Sequence, residues 1–189
     1  MVCNVQNNVR TMRLAAVILG LGVCAPTFAA TLEKLTVTQM AQQSTMIVRG
    51  RVTGCTGETR GSIIYTRCGV AVTETWKGTP KSRVEFLVPG GRVQNLTQTF
   101  TGAPKFGANE QYVLFLWVGR SGVPQIIGLS QGVFDISLSS TGTPLVRREP
   151  TTEMIVDSKG KQIRDEGVSM TVSALRGLVD QALTGSVQK

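Results

Sequence analysis

From Met46 to Leu138 the apolar residues either alternate with polar ones or run together over short lengths, the period-two signature of β-strands. Met46–Thr53 carries Met46, Val48 and Val52 with Gly50 between them, and Ile63–Thr73 places Ile64, Thr66, Cys68, Val70 and Val72 on one face. Gly54–Gly61, with three glycines among polar residues, reads as the turn region of this hairpin. If Cys55 pairs with Cys68, strict alternation would turn Val52 away from Val70, so one extra residue is expected as a β-bulge at Gly54. Lys77–Pro80 reads as a turn, preceded by Trp76. Arg83–Val88 is the next strand, with Val84, Phe86 and Val88 inward, and Pro89-Gly90-Gly91 stops it.

Gln111–Val118 is the most apolar run beyond the first thirty residues and predicts the central strand. Gly119–Gly122 reads as a hairpin turn, followed by strands at Gln125–Ser130 and Val133–Leu138. The latter has a wet face at Asp135 and Ser137. After a turn at Ser139–Pro144, Leu145-Val146 reads as a short return strand. Helical spacing occurs only near the two ends. Leu35, Val37, Met40 and Ala41 predict a short helix over Thr36–Ser44, with Thr36 or Thr38 as cap. Val172, Leu175, Leu178, Val179 and Ala182 predict an amphipathic helix over Thr171–Leu183, capped by Ser169 or Thr171. The fold class is thus mainly β, with a short helix before the strands and a second at the end.

Two stretches lack this patterning. Residues 90–110 form a long connection, and connections of that length in a compact domain tend to carry function or structure of their own. Val93–Thr101 suits a short strand or hairpin arm, and Phe106 an inward anchor. The candidate binding loop is Gly90, Gly91 and Arg92 together with Gly102, Ala103, Pro104 and Lys105, where glycine permits close backbone approach. Turn geometry alone would account equally well for these glycines. Residues 147–168 are polar, and 157–168 read as an exposed loop. The division expected is a leader over 1–29, a β domain over 30–146, a polar loop region over 147–168 and a packed helix over 169–185.

The first thirty residues change the picture most. Arg10 and Arg13 precede the apolar run Leu14–Val23, and Thr27-Phe28-Ala29 sets small residues where a signal peptidase reads, which predicts cleavage before Ala30. The run of about ten apolar residues is short of the ~20 needed to cross a bilayer. No transmembrane segment is expected in the mature chain, and the expected address is periplasmic or secreted. Val23 is bulky for the position before a lipidated cysteine, which ranks anchoring through Cys24 behind soluble release. Either Met1 or Met12 serves as the start. Cleavage removes Cys3 and Cys24 and leaves Cys55 and Cys68 as an even pair in an oxidising space, so a disulfide is favoured over two free thiols or half a metal site.

Removal of Arg10 and Arg13 lowers the formal charge from +8 to +6. The remaining charge forms no block, and aromatic residues are only 5%, which argues against nucleic acid as partner. The chain has no histidine, the usual general base and commonest metal ligand. It also lacks a P-loop. Glu85 and Asp135 fall in strands and read as solvent-face residues. No catalytic residue, metal site or cofactor is expected.

The succession STMIVRGRV, IYTRCGVAVTETWKG, KSRVEFLVPGG, GAPKFGANEQYVLFL and IIGLSQGVFDI resembles an uncharacterised family of exported bacterial proteins. That resemblance spans Leu32–Ile136 and, loosely, the terminal helix. More distantly, Val48-x-Gly50-x-Val52, Thr75-Trp-Lys-Gly78, Val84-x-Phe86 and Tyr112–Leu116 are similar to netrin-like modules and the tissue inhibitors of metalloproteinases. The similarity implies an OB-fold-like, partly open barrel of five or six strands; Trp76, placed just before the Lys77–Pro80 turn, is expected to plug its end. Those inhibitors chelate the zinc of their target with an amino-terminal cysteine. Neither Ala30 nor Thr31 has a thiol. The leading expectation is a non-catalytic exported domain that binds a protein or envelope partner. Regulation of a secreted protease and binding of oligosaccharide or nucleic acid are the alternatives.

Overall fold

Two strands of fifteen residues each dominate the chain, and the rest is laid against them. A computed structural model describes residues 31–119 and 122–185. The expected leader, with its cleavage site, lies outside the described residues. In chain order the elements are β1 (Thr31–Glu33), α1 (Val37–Gln43), β2 (Met46–Arg60), β3 (Ile63–Lys77), β4 (Arg83–Pro89), β5 (Gly91–Val93), β6 (Leu96–Gln98), β7 (Gln111–Val118), β8 (Pro124–Ile126), β9 (Val133–Leu138), β10 (Pro144–Arg148), β11 (Met154–Val156), β12 (Gln162–Ile163), β13 (Val168–Thr171) and α2 (Val172–Gly185).

Five strands close a ring. β2 pairs antiparallel with β3, β3 with β4, β7 with β2 and β7 with β8. The circuit closes where β4 meets β8 in parallel through the single pair Leu87↔Gln125. β7 uses one edge twice. Leu116–Val118 pairs with β8, and Tyr112–Leu114 pairs with β9, from which β10 and β13 continue the sheet outward.

This double use explains why β7 is continuously apolar from Tyr112 to Leu116. Tyr112, Leu114 and Leu116 join Val48, Val52, Val70, Val84, Phe86 and Val88 in one cluster inside the ring. Val113 and Phe115 join Phe134, Val146, Ile47 and the helices in a second cluster on the other face. A strand buried on both faces reads as a continuous apolar run, not as alternation.

Cys55 and Cys68 face each other across β2 and β3 as a disulfide, with Cα atoms 4.1 Å apart. The register shifts between Val52 and Gly54, so Thr53 has no partner across the ladder and Val52 sits opposite Val70. Both valines are fully buried in the ring. The bulge thus lets the disulfide and the core share one hairpin.

The hairpin differs from expectation in two ways. Residues 54–60, expected as turn, are strand, and the turn tightens to Gly61 and Ser62. This part of the ribbon is largely exposed, so no apolar alternation marks it; Glu58 instead bridges Arg60 and Arg67, both at 2.6 Å. Trp76 does not plug the ring. A second register shift, between Ile47 and Val48, leaves Trp76 as the extra residue on β3 and turns it into the outer cluster. There its indole N–H donates to Glu74 (2.9 Å), and Arg176 of α2 lies 5.3 Å from its ring.

α1 begins with a capping box: Thr36 Oγ1 accepts from Gln39 N at 3.1 Å, and Gln39 Oε1 accepts from Thr36 N at 2.8 Å. It buries Met40 and Ala41 against the sheet. α2 is capped by Thr171, whose hydroxyl accepts from Ala174 N. It buries Val172, Leu175, Val179 and Ala182 in the same cluster, while Leu178, expected on the apolar face, is exposed.

Residues 147–168, expected as polar loop, contain the end of β10 together with β11 and β12. β11 pairs in parallel with β1, which ties this segment to the start of the described chain. Strands of two or three residues are too short to show a period, which is why the sequence conceals them.

Candidate functional site

Where β4 leaves the ring, Pro89-Gly90-Gly91 turns the chain back over β3. Gly90 N donates to Ile64 O (2.8 Å), Thr66 Oγ1 donates to Gly90 O (2.7 Å), and Ile64 N donates to Gln98 Oε1 (2.7 Å). These bonds fasten the β5–β6 hairpin to β3. Gly91, at φ 138°, rests against Thr66, whose hydroxyl oxygen would lie 2.3 Å from any Cβ added there. The glycine therefore serves packing inside the protein.

Beyond β6 the chain returns across the same opening. Phe106 is its anchor, edge-on to both Phe86 and Tyr112 with ring centres 5.0 Å apart in each case. Farther along, Val52 N donates to Glu110 O and Asn109 N donates to Val52 O, both at 2.9 Å, which pins the end of the connection to β2. The long connection is thus tied at both ends and at one aromatic in the middle.

Between its two arms lies a pocket of about 420 Å³. Gly90, Gly91 and Arg92 form one side, Ala103, Pro104 and Lys105 the other, and Thr97–Phe100 the rim. Val88, Phe106 and the Cys55–Cys68 disulfide line the inside. Six of the seven candidate loop residues therefore meet at one cavity. Gly102 does not line it. At φ 70° it packs on the buried Glu153, whose Oε1 would lie 2.3 Å from an added Cβ. The rim residues and the disulfide wall carry no marker in the sequence that would have singled them out.

A second cleft, of about 480 Å³, is lined by Lys105, Asn109, Glu110, Gln111, Tyr112, Asp135 and Ile136. The Tyr112 hydroxyl donates to Glu110, which also accepts from Gly107 N at 3.0 Å. Burial and this carboxylate hold the Tyr112 phenol well above its ordinary range. Asp135, partly shielded from water and facing Glu110, is likewise held above the usual carboxylate range. Asp135 is brought here by its pairing with Tyr112 across β7 and β9, a long-range contact that spacing along the chain does not reveal. Glu85, the other strand carboxylate, is tied to Arg67 (3.2 Å) and Arg83 (3.6 Å) on the outside of the ring.

Among the described residues, no group of three or more His, Cys, Asp or Glu side chains could hold a metal ion. No helix among them is long and apolar enough to cross a membrane. Compared with protein-family models and with curated proteins, the chain has no match.

Proposed function

We propose that the chain is an exported, non-catalytic OB-fold-like domain, netrin-like in plan, that docks a protein or cell-envelope partner at the pocket over the disulfide. The barrel reading is supported by the ring: taken in chain order, its strands run first, second, third, fifth, fourth, and the single pair between β4 and β8 leaves the circuit partly open. Export is supported by the leader pattern and by the disulfide. Docking is supported by one observation above others. A long connection, costly to order, is pinned to β3 and β2 so that its two arms face each other across an apolar pocket. Pockets of about 300–1,000 Å³, mostly apolar with a few polar groups, are the usual form of a binding site.

The test is site-specific photo-crosslinking of the full chain in its native compartment. A photoreactive residue at Thr99, on the rim, should give an adduct of discrete mass, whereas one at Thr141, in the exposed turn after β9, should not. Equal labelling from both positions, or none from Thr99, would contradict docking at the pocket.

A further inference from the structure

We propose that the partner enters this pocket with an apolar side chain flanked by a carboxylate, so that an acidic–apolar peptide segment is what the site recognises. This rests on the docking reading above and adds the chemistry of the occupant.

Three observations converge. First, the inside of the pocket is apolar, formed by Val88, Phe106, Pro104 and the disulfide, and suits an apolar side chain excluded from water. Second, among the described residues the only charged ones that line it are Arg92 and Lys105, both cations and both exposed. Third, these cations lack the carboxylate partners that four of the five ring arginines have, Arg51 bonding instead to the Asn109 carbonyl. Arg49 is paired with Glu74, Arg60 and Arg67 with Glu58, and Arg83 with Glu85. Arg92 donates only from Nε, to the Gln94 carbonyl at 3.2 Å, and has no carboxylate partner among the described residues. Lys105 makes no hydrogen bond or ion pair among them. It also borders the cleft that holds Glu110 and Asp135, yet pairs with neither.

The geometry therefore offers two unneutralised cations at the mouth of an apolar cavity. A cationic segment would be repelled there, and a neutral apolar one would leave both charges unused. A nucleic-acid strand would need free aromatic faces to stack on. Phe106 is already held edge-on between Phe86 and Tyr112, which leaves Phe100 as the one other aromatic lining the pocket, too few for successive bases to stack on.

The experiment uses the full mature chain, isotope-labelled, titrated with the capped peptide acetyl-Gly-Phe-Glu-Gly-amide and with the same peptide carrying Gln or Lys in place of Glu. A short oligothymidylate and a neutral oligosaccharide complete the set. The Glu peptide should shift the backbone amide signals of Arg92, Thr99, Ala103 and Lys105. Its affinity should exceed that of the Gln peptide by about two- to fivefold, the range of solvent-exposed charge pairs, and that advantage should shrink in high salt. Arg92→Gln combined with Lys105→Gln should bring the Glu peptide down to the affinity of the Gln peptide and leave the Gln peptide unchanged. Equal binding of the Glu, Gln and Lys peptides at the pocket would overturn the charge preference while leaving docking intact. Shifts from the oligothymidylate or the oligosaccharide alone would overturn the peptide assignment. No shift from any probe would also overturn it, and docking itself would then be judged by the Thr99 crosslink, which assumes nothing about ligand chemistry.

Discussion

Arg148 and Asp165 form the most deeply buried ion pair among the described residues, with side chains 6% and 3% exposed. The guanidinium donates to both carboxylate oxygens, at 2.5 and 2.7 Å, and Thr151 N adds a third bond at 2.9 Å. The pair links β10 to the segment before β13, so it organises the polar C-terminal stretch. Replacing Asp165 with Asn leaves the guanidinium buried without its counter-charge, and breaking such pairs costs about 3–5 kcal/mol. Replacing both partners, as Arg148→Met with Asp165→Leu, removes the charge and its desolvation together and should recover most of that loss. The pH dependence follows from the Asp165 carboxyl, which Arg148 first, and then the Thr151 and Gly167 amides, hold well below the usual carboxylate range. A carboxyl depressed by folding contributes its stability in full above its unfolded pKa, near 3.9. That contribution is lost as pH falls toward the folded value, by about 1 kcal/mol at pH 3. Urea unfolding at pH 7, 5 and 3 reads this directly. The gap between wild type and Asp165→Asn should be full at pH 7 and 5 and smaller at pH 3. A single variant within 1 kcal/mol of wild type at pH 7, or a gap that does not change with pH, would refute the reasoning.

Leu114→Ala empties a fully buried site inside the ring and should cost about 2–5 kcal/mol in the same assay, whereas Trp117→Ala, at a position 40% exposed, should cost far less. The Cys55→Ser, Cys68→Ser double variant should fold yet lose about 2–4 kcal/mol, with thiol counting on unfolded native protein showing none free in the wild type. Gly91→Ala should destabilise measurably, because its backbone has positive φ and Thr66 occupies the space a methyl group needs. Mass spectrometry of the native protein should find it beginning at or near Ala30; retention of Met1 would contradict export by a cleaved leader.

The parts legible in the sequence are those where burial is one-sided or total over a full element. Gln111–Val118 announces itself because Tyr112–Leu116 is buried on both faces, and α1 and α2 because their apolar positions recur every three or four residues. The bulge beside Gly54 could be inferred because two constraints, a paired Cys55–Cys68 and a buried Val52, cannot both hold in a regular ladder. Other features depend on contacts remote in sequence. The outer half of the β2–β3 ribbon is held by Glu58 with two arginines and by the hairpin that crosses it, neither of which leaves a periodic trace. Trp76 changes faces because of a register shift that no local propensity encodes. At the candidate site, the glycines and prolines of the long connection marked both arms of the pocket. They did not show that Gly102 turns away onto Glu153, or that Glu110, Tyr112 and Asp135 converge on a neighbouring cleft.

Docking through the mouth pocket is the central claim, and filling the pocket tests it most directly. Ala103 lines the cavity and already packs on the inner cluster, so Ala103→Trp should fill the space between the arms against Val88 and Cys68. The measurement is the amount of Thr99-crosslinked adduct recovered from the native compartment with Ala103→Trp and with the wild-type residue, at matched expression and with unfolding midpoints taken alongside. Loss of the adduct with an unchanged midpoint is the predicted result, and an undiminished adduct would contradict it.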